Sequence, residues 1–220
     1  MLNFIRKRKI QKIEERNSWD FKSGATNPGE LILSKSKTRK FLVSINTIQT
    51  TVLKNSQSNL FDKFDKIQDW LYYGDCNPAI VVSTEPAVVA AYSYDIDCVV
   101  FLLYSQYYAR KYKLKVGMRM LSVNTYGIWK IQQRDILRGE RASGLWNAYR
   151  PLIADFLSND LEIIKTKKES INEEHWERCR VLAKEYPSVF PDTYRLGDPY
   201  YALNPSVFRG EKVNPFENIG

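Results

Sequence analysis

The chain has 220 residues, of which 44% are hydrophobic and 26% charged, and a formal net charge of +8. That balance excludes disorder of the low-apolar, high-charge kind. It leaves room for one sizeable core, because single domains commonly run to about 250 residues before they split.

Residues 1–18 form a basic segment in which Arg6, Lys7, Arg8, Lys9, Lys12 and Arg16 outweigh Glu14 and Glu15. Propensity favours a helix there, but Leu2, Ile5, Ile10 and Ile13 share their arc with Arg6 and Lys9, which makes a poor membrane anchor. The segment also lacks the uninterrupted apolar run of a secretory leader. Residues 19–220 are expected to form one domain. Phe21 to Thr38 reads as a loop turning at Asn27-Pro28-Gly29, with Leu31-Ile32-Leu33 as a short edge strand. Phe41 to Leu53 is rich in β-branched residues and reads as a strand or a bent pair. Leu60, Phe64, Ile67 and Leu71 then repeat at helical spacing, predicting a helix over 59–73 that Gly74 ends in a left-handed conformation.

Ala79–Ser83, Ala87–Ser93 and Cys98–Tyr104 are three apolar runs of strand length, separated by Glu85-Pro86 and Asp95-Ile96-Asp97, and they predict a meander. The same acidic and proline interruptions exclude a membrane-spanning helix across this most apolar stretch. Met118–Tyr126 and Ile128–Gln132, split at Gly127, predict a further strand pair. Leu145, Tyr149, Leu152 and Phe156 resume the helical period over 144–158, with Pro151 forcing a kink or a fresh start. Leu161–Lys165 reads as a short strand. Ser170 stands three residues before Glu173, a capping-box spacing that predicts a helix from Ile171 to Tyr186. Residues 187–220 hold five of the nine prolines together with Phe190, Tyr194, Tyr200, Tyr201, Phe208 and Phe216, which predicts an irregular aromatic wrap lying in grooves of the domain.

The expected fold is therefore α+β: a mainly antiparallel sheet from 41 to 132, packed by three to four helices, with the C-terminal wrap over it. Cys76, Cys98 and Cys179 are odd in number and lack any C-x-x-C spacing, so a reducing, cytoplasmic compartment is expected.

Chemistry-bearing residues are sparse. His175 is the single histidine, which excludes sites that need two. It lies one helical turn before Cys179 on the face that Ile171, Leu182 and Tyr186 would bury, so a packed histidine is expected and no metal or other cofactor is assigned. No motif brings Cys76 or Cys98 to His175 as a nucleophile with its base. Asp95 with Asp97, and Asp160 with Glu162, flank turns and offer Mg²⁺ ligands of the kind a nuclease needs, although turns select aspartate in any case.

Arg138-Gly139-Glu140-Arg141-Ala142-Ser143-Gly144 precedes the predicted 144–158 helix. There Arg138, Arg141 and Ser143 are candidates for holding a phosphate or carboxylate. Tyr107, Tyr108, Arg110, Lys111 and Lys113 interleave rings and cations as single-strand nucleic-acid surfaces do. No catalytic constellation emerges, and aromatic residues, at 13%, are abundant. The leading expectation is a non-catalytic interaction protein, a bacterial accessory or immunity-type binder of a protein partner. The alternatives are a single-stranded nucleic-acid or phosphate-ligand binder and, last, a metal-dependent nuclease.

Overall fold

The computed structural model describes residues 2–16, 25–40, 60–127, 135–142, 147–197 and 207–209. The three apolar runs form β1 (Asp75–Thr84), β2 (Ala87–Ser93) and β3 (Cys98–Tyr104), an antiparallel meander. Every residue of β2 and β3 is buried. Continuous Val, Ala and Leu in place of an alternating pattern is what a strand covered on both faces requires.

Strand β4 (Arg119–Gly127) adds antiparallel to the free side of β1, and β6 (Asn147–Ile153) adds antiparallel to β4. Beyond β3, the two residues of β5 (Leu137–Arg138) pair with Cys98 and Val99, while β7 (Thr193–Leu196) runs parallel to Leu102 and Leu103. Strand β8 (Val207–Arg209) closes the order β6-β4-β1-β2-β3-β7-β8. The sheet curls: Arg195 of β7 reaches the carbonyl of Tyr149 in β6, on the far side of the sheet, at 2.7 Å. The class is α+β with a mainly antiparallel sheet, as the sequence predicts.

Helices cover this sheet. α1 (Leu2–Arg16) is tied down by buried Ile13 and by Arg6, which pairs with Asp160 at 2.6 Å. α2 (Leu60–Tyr73) buries Phe64, Ile67, Trp70 and Leu71. α3 (Gln106–Tyr112) ends at Lys113 in the left-handed region (φ 50°), and α4 (Ala154–Leu157) is a single turn that puts Phe156 among Tyr104, Tyr108 and Tyr112. α5 (Leu161–Ser170) is followed by α6 (Glu173–Val189), which lies across β1 and β3.

Proline in a central strand removes a ladder hydrogen bond. Pro78 sits in β1 between two partners, and the carbonyl of Tyr92, one residue past the Ala79–Ala91 pair, accepts from the Asn124 Nδ2 at 2.8 Å instead. The side chain of Asn124 thereby supplies the donor that proline lacks.

Several expectations are corrected. Of the expected 144–158 helix, residues 147–157 form strand β6 followed by α4: Tyr149, Pro151 and Ile153 share one face of an edge strand, where proline is tolerated, and the apolar spacing matches a helix by coincidence. The expected strand at Leu161–Lys165 is the start of α5, whose ends carry Glu162 and Lys167–Lys168 in the sense that complements the helix dipole. Ser170 does not cap α6; its hydroxyl donates to Lys167 within α5, and Asn172 accepts from the Glu174 amide at 3.0 Å. Pro187 is absorbed in the last turn of α6, and β7 is a regular strand beside β3 where an irregular wrap was expected.

Gly74 does not take a left-handed conformation. It is needed for close approach, since a Cβ would stand 2.6 Å from the Trp70 carbonyl oxygen and 2.8 Å from that of Asn124. Leu31 to Leu33 are buried but do not join the sheet as a strand. The Gln68 side chain pairs with the Leu31 carbonyl and the Leu33 amide, replacing a neighbouring strand. The strands expected at 41–53 and 128–132, and the wrap over 198–206 and 210–220, lie outside the described residues.

Candidate functional site

The loop holding Arg138 and Arg141 does embrace an anion, and the anion is the chain's own Asp97. Asp97 ends the β2–β3 turn with φ 38° and its side chain is 2% exposed. Its Oδ1 accepts from the Tyr92 hydroxyl at 2.9 Å and from the Arg178 Nε at 3.1 Å. Its Oδ2 accepts from the Arg178 Nη2 at 3.0 Å and from the Arg141 amide at 2.9 Å. Burial by itself would raise the Asp97 pKa, but the bonds from Arg178, the Arg141 amide and Tyr92 outweigh it and hold the carboxyl below its ordinary range. Gly139 makes the arrangement feasible: a Cβ there would lie 2.1 Å from Oδ2 of Asp97 and 2.4 Å from Nη2 of Arg178.

The arginine side chains that the sequence nominated stand outside this cluster. Arg138 is exposed, and Arg141 pairs with Glu174 at 2.9 Å with 67% of its side chain open to solvent. Ser143 lies outside the described residues. The partner that matters is Arg178, which comes from α6 and gave no local signal; its spacing one residue before Cys179 on a helix facing the sheet was the only cue.

The basic segment is a separate feature at the opposite end of β3. Arg138 pairs with Cys98 at the start of that strand and Tyr107 follows its last residue, so the two regions stand about 20 Å apart at ~3.3 Å per residue. Tyr107, Arg110, Lys111, Lys113 and Lys115 are exposed, and none of these cations meets a carboxylate among the described residues. The Lys111 Nζ sits 5.3 Å from the Tyr107 ring centre. Tyr108 is different: it is 2% exposed and packs on Phe156 and Tyr112, so of these two tyrosines it is Tyr107 that presents its ring to solvent.

A third feature has no counterpart in the sequence reading. An open groove of about 450 Å³ runs between α6 and the β1–β2 hairpin. Ile80, Val88, Phe101, Ala183 and Pro187 line it, Val116 forms one lip, and Arg180 and Lys184 stand on the other. The lip is fixed by main-chain bonds, with Gly117 donating to the Val81 carbonyl at 2.8 Å and Val81 to that of Met118 at 3.0 Å. Gly117 itself turns the chain at φ 83°. Val116 is 68% exposed, and Lys115 immediately precedes it. The Arg180 guanidinium bonds to Glu173 and Glu177, while Lys184 is exposed without a carboxylate partner among the described residues. No acidic side chain lines the groove.

The remaining candidates are committed to packing. Asp95 is exposed while Asp97 is fully engaged, and Asp160 is taken by Arg6 and the Ile32 amide, so neither acidic pair converges on one point. No group of three metal-ligating side chains occurs among the described residues. His175 stacks on Tyr94 at 4.1 Å between ring centres, and burial lowers its pKa. Cys76, Cys98 and Cys179 are all buried with their thiol pKa values pushed up by desolvation, that of Cys76 to about 12. Such thiols are poor nucleophiles. No helix among the described residues is long and apolar enough to cross a membrane.

No family model matches this chain, no curated protein is similar to it, and no solved structure resembles it.

Proposed function

We propose that the chain is a non-catalytic protein-binding protein whose groove between α6 and the β1–β2 hairpin receives an extended or helical segment carrying aliphatic side chains next to acidic ones. The observation that carries this reading is the groove: about 450 Å³ of open apolar lining, within the range of binding sites, with Arg180 and Lys184 at its margin and no acid in it. Apolar walls bind aliphatic anchors, and Lys184, the margin's cation that meets no carboxylate among the described residues, sets orientation and repels basic competitors. The abundant tyrosines contribute less to this surface than composition suggests, because Tyr92, Tyr104, Tyr108, Tyr149 and Tyr186 are buried.

Selection from a displayed random-peptide library tests the reading. Enrichment of peptides with acidic residues beside Leu, Ile or Phe is expected, with binding weakened at least tenfold by Lys184→Glu and by Val116→Asp. Both positions are exposed, so the fold tolerates the changes. Selected peptides that bind both variants as well as the parent chain would overturn it.

A second reading, single-stranded nucleic-acid or phosphate binding, draws support from the uncompensated cations of α3 and its C-terminal loop beside Tyr107. It requires binding to single-stranded RNA or DNA at low salt that weakens steeply as salt rises. Joint replacement of Arg110, Lys111, Lys113 and Lys115 by Gln must abolish that binding.

A further inference from the structure

Arg150 is a buried guanidinium without a counter-charge among the described residues. It lies in β6, is 8% exposed, and makes no ion pair or hydrogen bond through its side chain among the described residues; its Nε is sealed from solvent and unpaired. Its one close partner is the Trp70 ring of α2, 5.6 Å from the guanidinium carbon. Arg150 pairs across the strands with Thr125 of β4, so the two side chains leave the sheet on the same face. The Thr125 hydroxyl is likewise buried and unpaired. Two orphaned donors therefore sit on paired residues of one sheet face, with the Trp70 ring beside the guanidinium.

Arginine cannot discharge itself by losing its proton at any ordinary pH. Burial depresses the Arg150 pKa, and no ionised neighbour contributes to the shift. Elsewhere the chain answers its buried arginine fully: Arg195, 5% exposed, forms a two-point pair with Asp135 and a third bond to the Tyr149 carbonyl. The fold thus pairs one buried guanidinium fully and leaves the other without a carboxylate among the described residues. An unpaired buried charge is a standing penalty, and an oxyanion arriving from solution would remove it. The terminal Nη atoms are not sealed, so they form the open edge of the group.

We propose that Arg150, Thr125 and Trp70 form a binding site for a small oxyanion group, a carboxylate or phosphate, held in the guanidinium plane by the Nη edge and by the Thr125 hydroxyl. The site is independent of the α6 groove, since Trp70, Thr125 and Arg150 do not line it.

The test is thermal unfolding of the full chain titrated with sodium phosphate and, separately, sodium acetate, each against sodium chloride at matched ionic strength. A saturable rise in Tm with at least one of the two is expected. It should reach roughly 5–11 °C at a hundredfold excess over Kd for a chain of this size. Arg150→Met keeps the stacked volume on Trp70 and removes the charge, so it should fold and melt higher than the parent without anion, and show no anion-specific rise. Arg150→Lys should retain a weakened response. A parent Tm that follows chloride and both oxyanions alike, or an Arg150→Met variant that responds as the parent does, would refute the site. A response to acetate alone assigns carboxylate, and one to phosphate alone assigns phosphate.

Discussion

Replacing Asp97 by Ala should be among the most damaging single changes in this chain. The carboxylate accepts four hydrogen bonds, two of them from the Arg178 guanidinium, and joins the β2–β3 turn, the 138–142 loop and α6. Removing one partner of a buried ion pair costs about 3–5 kcal/mol. The Arg178 side chain keeps 24% of its exposure, so water takes up part of the loss and the lower end, about 3 kcal/mol, applies. At about 2–4 °C per kcal/mol for a chain of this length, Tm should fall by roughly 6–12 °C. The control is Glu174→Ala, which breaks the exposed pair with Arg141 and should move Tm by about 1–2 °C or less. Circular-dichroism melts of both variants, with Arg178→Met completing a double-mutant cycle, give the comparison. A loss below 2 °C for Asp97→Ala, or one equal to that of Glu174→Ala, would show that the cluster does not hold these three segments together.

The remaining expectations concern titration, thiol chemistry and close packing. The Asp97 pKa lies below its unfolded value, so its stabilisation is present above about pH 4. It is lost as pH falls through the lowered value, and Asp97→Asn should flatten that part of the acid-unfolding curve. Burial lowers the pKa of His175, so the native state binds this proton less readily than the unfolded chain does. A proton NMR titration of this single imidazole should find a midpoint below about 6.5, and stability should decline as pH drops through that window. All three thiols should react with Ellman's reagent only on unfolding, with full labelling in denaturant; rapid labelling of the native chain would contradict their burial. Gly139→Ala should destabilise through the Asp97–Arg178 pair and lose most of its effect in an Asp97→Ala background.

What the sequence disclosed, and what it hid, follows from how far apart the interacting residues are. β1, β2 and β3 are joined by short turns and are apolar throughout, so their meander is legible from local pattern alone. α2 and α6 likewise announce themselves by the spacing of their buried residues. β6 was misread because an edge strand that ends in a helical turn places Tyr149, Leu152 and Phe156 at intervals that also suit a helix. The sequence nominates the Arg138 and Arg141 side chains as ligand holders, whereas in the fold it is the Arg141 amide that meets a carboxylate, that of Asp97 more than forty residues earlier, whose main cation is Arg178. The groove depends on the meeting of α6, the β1–β2 hairpin and the Val116 lip, and no window of sequence contains all three. Arg150 belongs to no motif in the sequence and becomes conspicuous only where β6 sets it against Trp70.

The bond from Arg195 to Tyr149 bears on the order in which the chain can be completed during synthesis. Until residue 195 has left the ribosome, Asp135 has no guanidinium to meet, and the end of β3 at Leu102 and Leu103 lacks its parallel neighbour. A nascent chain ending near α6 would therefore carry a formed meander with one raw edge and an unanswered carboxylate, a combination that invites pairing between chains. The β3–β7 pairing joins residues more than ninety positions apart, a long-range contact of the kind that lengthens loop closure.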